Sequence, residues 1–577
     1  MKRSSGTGSG SCCEMTTAIA CLLLVLFPLT SVLAEYRDKR HEESGAKYNI
    51  LGIFGHPGKS HFDFFRPLLI ELARRGHDVT VVSHFPRGPK DESLPNYRDV
   101  SLAPTARDKI GMGNGVNVVD LSRINYSPFS VVKEVALLRA WGLQACEDAL
   151  RNEDVRRLVA SNDTFHVILT ESFNTDCFLG FVHRFKAPFI ALSSHQIMPW
   201  TQERLRDPEN PSYVPCSFLG FSWKMNFLQR VQNALTVALT RVYFRTAYEW
   251  PTQVLVEEAF GPGVPPLWEI ARNTSAILLN THYSLHGARP HLPNVIDVGG
   301  LHIPNFNREW GSSKVSLEDQ LPQDIRRFLD NASEGVLYFS WGSMIKMSSL
   351  PEKKLQAILR VLGSIPRKVL WKWEADDLPG KPDNVMVAKW LPQFAVLNHP
   401  NVKCFLGHGG LLGLSEAVYA QVPMVLVPMY GDQFHNVAAA EARGVAVVLP
   451  YNLLDERTFR DALDRVFNDT RYTSNSQILA KVYRERPSSP LETAVWWTEF
   501  VGRGYPVSYL RNEGAELAWY RYYLLDVVGF LLLLGLAGVF LTYRLARASI
   551  SYLLALWETF VGTTRRRAVG AKSNKAD

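Results

Sequence analysis

The sequence predicts an α/β fold: two doubly wound sheet-and-helix domains in tandem, then a membrane-spanning helix. Three observations carry this. Short apolar runs alternate with helix-period stretches in both halves of the chain, the pattern of parallel strands covered by helices. At 577 residues the chain exceeds what one core serves, because single cores stop growing near ~250–300 residues. An uncharged run, VVGFLLLLGLAGVFLTY at 527–543, is about long enough to cross a bilayer.

In chain order, Lys2 and Arg3 precede an apolar stretch at 17–33, and Val32-Leu33-Ala34 is a small-residue cleavage pattern before Glu35. Residues 1–34 therefore read as a secretory signal peptide. The first domain, 35–300, opens on the apolar run 48–54, fit for a buried parallel strand. A Gly/Pro loop at 55–60 follows, then a helix over 62–75 with Leu68, Leu69 and Leu72 inward, which Gly76 ends. Further strands are expected at 79–83, 167–170 and 189–192. The Gly-, Asn- and Pro-rich stretch 301–322 marks the linker. The second domain, 323–515, repeats the pattern, with strands expected at 335–340, 368–373, 385–388, 402–406, 423–428 and 445–448. Its helices are expected at 352–362, 412–420 and 433–443. Two such domains meet at a cleft beyond the carboxyl ends of their strands, where ligands of open parallel sheets bind.

The membrane helix is expected over 522–543, with Tyr522 and Tyr523 at one interface. Arg544 and Arg547 open a basic tail, 544–577, on the cytosolic side. Of the formal charge of +7, the first 34 residues carry +1 and the stretch after Tyr543 carries +5, which leaves +1 for the body. A near-neutral body argues against a nucleic-acid partner. Sequons at Asn125, Asn162, Asn273, Asn331 and Asn468 all fall on the expected lumenal side. The mature chain keeps Cys146, Cys177, Cys216 and Cys404, too few and too scattered for a disulfide framework or a zinc site.

The chemistry-bearing block runs Trp390-Leu-Pro-Gln393, His408-Gly409-Gly410-Leu-Leu-Gly413, Glu416, Asp432-Gln433. Trp390, at a strand end, offers a face for a base to stack on, and Gln393 can bond an imide edge. Gly409 and Gly410 let the backbone approach a ligand at a helix N-terminus, which favours a diphosphate without a metal. Glu416 lies two turns on and can accept from ribose hydroxyls. Asp432 and Gln433 open another helix and suit hexose hydroxyls. Singly, each has a plainer reading: a turn, an N-cap, a core tryptophan. In the loop 55–61, His61 follows a strand and opens a helix, so it faces the cleft; a histidine titrates near neutrality, as a general base requires. His56 is its rival. Gly58-Lys59-Ser60 is not a phosphate loop, since Ile53 stands where that motif needs glycine.

The block from Trp390 to Gln433 resembles the signature of the UDP-glycosyltransferase family, in its animal, arthropod-like, membrane-anchored branch. The resemblance extends to the stretch holding Ser60-His61-Phe62 and Arg75-Gly76-His77, to Phe339 through Ser343, to PNVIDVGGLH at 293–302 and to the anchor. It implies two facing Rossmann-like domains of GT-B type. Trp390 and Gln393 would hold uracil, and Ser343, His408 and its glycines the diphosphate. Glu416 would hold ribose, and Asp432 and Gln433 the sugar. The family's catalytic histidine corresponds to His61. Its acidic partner falls on Glu171 by alignment from the strand, or on Asp176 by alignment from Cys177; both stay open. Departures are Gly407 where many members have Thr or Ser, Leu412 where vertebrate members have Asn, and Asn280 where they have Arg.

The implied reaction is a metal-free, cofactor-free inverting transfer of a hexose, glucose in arthropod relatives, from a UDP-sugar co-substrate to a hydroxyl of a small lipophilic acceptor. Detoxification and hormone or pigment conjugation are uses of that kind. The implied address is the endoplasmic reticulum membrane, single-pass type I, with the body in the lumen, and a homo-oligomer is compatible. Two alternatives remain: a transferase acting on a membrane lipid, and a catalytically silent lipophile carrier. The carrier would be expected to have lost His61, Glu416 or Asp432, and all three are present.

Overall fold

A computed structural model describes residues 46–88, 93–102, 116–118, 120, 122, 130–304 and 320–573. The signal segment, Asn125, most of the 301–322 linker and the last four residues lie outside the described residues.

The first half builds β1 (Asn49–Phe54), β2 (Asp78–Ser83), β3 (Tyr97–Ser101), β4 (Val116–Asn117), β5 (Val167–Glu171), β6 (Phe189–Ser193), β7 (Ala276–Leu279) and β8 (Val295–Asp297). All but β4 form one sheet, parallel throughout, in the order β3-β2-β1-β5-β6-β7-β8. The chain runs outward from β1 to β3, returns beside β1, and then runs outward the other way. The direction of winding thus reverses between β1 and β5. Alternate residues of β1 serve two cores: Ile50 and Phe54 face one, Leu51 and Ile53 the other. The strands expected at 48–54, 79–83, 167–170 and 189–192 are β1, β2, β5 and β6. Strands β3, β7 and β8 are absent from the expected set. β3 reads YRDVS with half its face wet, and β7 and β8 have four and three residues.

The second half builds β9 (Val336–Ser340), β10 (Ile345–Lys346), β11 (Lys368–Lys372), β12 (Val385–Ala388), β13 (Val402–Gly407), β14 (Met424–Leu426) and β15 (Ala446–Val448). Six of them form a parallel sheet in the order β12-β11-β9-β13-β14-β15, with its reversal between β9 and β13. Every strand expected here is present. Phe339 stacks on Trp371 at 4.5 Å in one of the two cores that flank the sheet.

Two crossings tie the halves together. β10 pairs in parallel with β4, and Val118 is buried in the core of the second half. The helix Pro490–Gly502, within the stretch expected to belong wholly to the second domain, packs on the first sheet. Its Leu491, Ala494, Val495 and Val501 join the core around Ile50 and Phe65, and Arg75 Nη2 meets Glu492 Oε2 at 2.6 Å. Buried apolar area, not chain position, assigns that helix.

Cys146, on the helix Ser130–Arg151, is bonded to Cys177, with Cα atoms 5.7 Å apart. The cysteines that seemed too scattered are thus partly paired: the loop after β5 returns onto that helix and brings them together. Taken by itself, the C-terminal unit has a short helix, Trp519–Tyr522, and one long helix, Leu525–Ser573, of 49 residues, about 74 Å long. It is long and apolar enough to cross a membrane over Leu525–Arg567. It begins three residues after the expected start at 522. No break marks the expected boundary at Tyr543, and the expected basic tail carries a second apolar stretch, with Leu553, Leu554, Trp557 and Phe560 exposed.

Candidate active site

β1 delivers the chain at Phe54 to a loop that ends at Gly58, and the helix Lys59–Arg74 puts His61 in its first turn. His61 Nδ1 lies 2.5 Å from Glu171 Oε1. Glu171 is the last residue of β5, one past Thr170, which pairs with Ile53. The two side chains therefore meet because the sheet reverses between β1 and β5. The ring of His56 lies 4.4 Å from that of His61, Phe173 4.9 Å and His195 6.1 Å. Burial lowers His61 to about 4, and it also lowers His56 to about 3 and His195 to about 4. The same burial raises the Glu171 carboxyl. His61 is thus a neutral imidazole whose Nδ1 is engaged and whose Nε2 is left to face the cleft.

Asp176, the other carboxylate left open, is held elsewhere. Arg204 Nη1 donates to Asp176 Oδ1 at 2.8 Å, and a second contact joins Nη2 to Oδ2. A carboxylate committed to a buried guanidinium is not available to orient the imidazole, and that corrects Asp176 as a candidate partner.

At the reversal of the second sheet, Ser343 follows β9 and His408 follows β13; Ser340 and Gly407 are cross-strand partners. Gly409 has φ +84°, and a Cβ there would sit 2.4 Å from Val437 Cγ1, so only glycine fits this turn. Gly410 is the N-cap of the helix Leu411–Tyr419 and supplies no side-chain cap, which leaves the first N–H groups of the helix for a ligand. Gly413 lies within that helix; a Cβ on it would come 2.9 Å from Gln393 Nε2. His408 is lowered to about 4 by burial and by Lys372, and its Nδ1 has no partner.

Trp390, which could have been core, is 61% exposed, with Lys59 Nζ 5.5 Å from its ring. Gln393 Nε2 donates to Glu416 Oε2 at 2.6 Å, and Tyr338 Oη donates to Gln393 Oε1 at 3.1 Å. The amide expected to read an imide edge is thus largely spent on positioning Glu416. Burial raises Glu416 to about 7; the Gln393 bond opposes this and Asp63 adds to it.

Asp432 occupies the N-cap of the helix Gln433–Ala442 but does not cap it. Its Oδ2 accepts from Asn436 Nδ2 at 2.8 Å, and Asn436 also donates to the Gly409 carbonyl at 3.1 Å. Gln433 Oε1 accepts from the backbone of Met429 at 2.8 Å and of Tyr430 at 3.2 Å. Asn280 is a buried stitch: it donates to the Ser194 carbonyl at 2.9 Å.

All the expected residues except Asp176, Gly409 and Glu171 line one cleft of about 410 Å³ between the two halves. Glu171 stands directly behind His61. The first half also contributes Leu137, Leu138, Trp141, Met198 and Phe218, an apolar wall. Phe181 and Trp200, in the same half, are buried in its cores instead. Sequence reasoning missed Glu134 and His195, both buried in the cleft wall; each stands outside any motif. Among the described residues, no group of three or more His, Cys, Asp or Glu is placed to hold a metal.

Two parallel sheets with a cleft between them form the arrangement of the GT-B fold. A solved structure, the glycotransferase of kitacinnamycin, shares this fold with TM-score 0.50 at 18% identity, over 80% of this chain and 100% of that one. The sequence profile described as "UDP-glucoronosyl and UDP-glucosyl transferase" matches residues 58–557, and the chain belongs to that family. It is similar to UDP-glycosyltransferase UGT5 of Dactylopius coccus, 36% identical over 88% of this chain and 93% of that protein. UDP-glucosyltransferase 2 of the same insect is 32% identical over 90% and 96%. UDP-glucuronosyltransferase 2B17 of Mus musculus is 30% identical over 82% and 88%. The protein is therefore an enzyme that transfers a sugar from a UDP-sugar.

Proposed function

We propose that the protein transfers glucose from UDP-glucose, with inversion, to a hydroxyl of a small lipophilic acceptor. The observation that carries this is the His61–Glu171 pair, 2.5 Å apart, set in an apolar wall opposite the His408-Gly409-Gly410 turn. His61 Nε2 takes the acceptor proton while the acceptor oxygen attacks the anomeric carbon. The bond from that carbon to the diphosphate oxygen breaks, and UDP leaves with the electron pair. Glu171 orients the ring and stabilises the imidazolium that forms. The N–H groups that open the helix Leu411–Tyr419, with His408 and Ser343, take up the charge developing on the diphosphate. Trp390 stacks on uracil, Gln393 holds Glu416 against the ribose, and Asp432 and Gln433 bind the hexose. Glucose is favoured by the name of the insect relative, UDP-glucosyltransferase 2. Leu137, Leu138, Trp141 and Phe218 favour an apolar acceptor.

The body stands in the lumen of the endoplasmic reticulum, anchored by Leu525–Arg567. The Cys146–Cys177 bond suits an oxidising compartment, and the sequons and the basic residues after Tyr543 favour the same orientation. A panel of phenols, steroids, plant alcohols and ceramide with several UDP-sugars tests the chemistry. Transfer confined to ceramide would replace the small-molecule reading with the lipid one. In sealed microsomes protease should spare the body, and its digestion would overturn the topology.

A further inference from the structure

Glu134 is a carboxyl that the mechanism above leaves unused. It sits on the helix Ser130–Arg151 of the first half, is 5% exposed and lines the cleft. Its Oε1 has no hydrogen-bond partner within the protein, and a buried polar oxygen left unsatisfied is costly unless a ligand completes it. Across the cleft stand Gly431 and Asp432; a Cβ on Gly431 would come within 3.7 Å of Glu134 Oε1.

The helix is held firmly at this point. Val135 and Leu138 are buried against Trp200, Phe218 and Tyr248. Tyr248 Oη donates to the Val135 carbonyl at 2.8 Å, and Asn174 Nδ2 donates to the Leu138 carbonyl at 3.0 Å. One turn on, Gly142 packs so closely that a Cβ there would fall 2.1 Å from the Asn174 carbonyl oxygen. The Cys146–Cys177 bond fixes the next turn. Glu134 is thus presented by a pinned helix, as a selective binding group requires.

We propose that Glu134 binds a hydroxyl of the donor hexose from the wall opposite Asp432, and that the two acids together select neutral hexoses over uronic acids. This rests on the reading of Asp432 as the sugar-binding residue. Burial and the neighbouring Asp432 raise the Glu134 carboxyl to about 8, with the Gly431 amide opposing. In the empty cleft at neutral pH it therefore carries a proton and can donate to a hydroxyl. A hexuronate adds a carboxylate. Among the described residues lining the cleft, the lone Lys or Arg is Lys372, which stands on β11 and acts on His408 at the diphosphate end. A uronate at the sugar end would meet Asp432 and the protonated Glu134 and no cation, so its carboxylate would be buried beside an acid without a counter-charge.

The test uses the full-length protein in membranes with an accepted phenol, UDP-glucose, UDP-glucuronate and UDP as inhibitor. Wild type should prefer UDP-glucose over UDP-glucuronate by at least about a hundredfold in kcat/KM. Glu134→Ala should raise the KM for UDP-glucose about ten- to hundredfold and narrow that preference, with UDP inhibition unchanged. Glu134→Gln, which keeps a donor and an acceptor in the same place, should keep more of the UDP-glucose affinity than Glu134→Ala does. Unchanged UDP inhibition certifies the folded site if overall yield falls. The proposal is overturned if both variants bind UDP normally and keep the wild-type preference, or if the acceptor KM moves in place of the donor KM. Wild type that transfers no sugar from any donor would instead sink the function proposed above.

Discussion

The two halves of the body use one topological device to different ends. In each, the winding of a parallel sheet reverses beside its first strand, and the loops at that reversal face the cleft. The second half fills its reversal with residues close together in sequence, from Trp390 to Gln433. The first half fills its own with His61 and Glu171, 110 residues apart. A diphosphate can be held by backbone at one turn and one helix start, so a short motif suffices. A base needs a carboxylate against its far nitrogen, and the neighbouring strand supplies it. The residues proposed to bind the donor are thus close in sequence, and the proposed catalytic pair is far apart.

Four experiments can break or sharpen that contrast. The largest effect should come from His61→Ala, which should cost ~10²–10⁴-fold in kcat while UDP still inhibits. Near wild-type turnover would move the base to His56. Next, Glu171→Gln should cost about a hundredfold or more in kcat, because the ring loses its orienting carboxylate. Asp176→Asn should instead appear in Tm: breaking its buried pair with Arg204 costs ~3–5 kcal/mol. If Asp176→Asn abolished turnover in folded protein and Glu171→Gln did not, the geometric assignment would fail.

The second half should divide differently. Glu416→Ala should weaken UDP and UDP-sugar together. Asp432→Ala should leave UDP inhibition near normal and relax discrimination among hexose epimers. Each lost bond should be worth ~1–3 kcal/mol, roughly ten- to hundredfold. Equal loss of UDP affinity in both variants would erase the boundary between the nucleotide and sugar parts of the site.

The smallest effect is one of pH. Burial lowers His61 to about 4, and a base works when unprotonated, so the acid limb of kcat/KM should fall near 4 rather than near 6.5. Stability follows the same sign. His56, His195 and His408 are also lowered, to about 3, 4 and 4. Between those values and 6.5 the unfolded chain binds protons that the fold does not, so Tm should drop as pH falls through that window. An acid limb at 6.5 would mean that the ring is solvated during turnover.

Much was legible in the sequence. The strands of the second sheet stand out because they are apolar runs, in β9 and β14 buried along their whole length. The His408-Gly409-Gly410 turn is visible because it needs glycine where φ is positive. His61 is placed by the loop between a strand and a helix. What the sequence left open is what strand neighbours decide. Glu171 and Asp176 stand five residues apart, and nothing local separates them. The sheet puts the end of β5 beside β1, which gives Glu171 to His61, and Arg204 takes Asp176. Likewise Cys146 finds Cys177, Pro490–Gly502 finds the first sheet, and Glu134 comes up to Gly431. Periodicity and turn chemistry are properties of a few successive residues, so the sequence by itself determined elements and local motifs. Pairings between distant residues depend on which strand lies beside which, and only the tertiary structure could decide them.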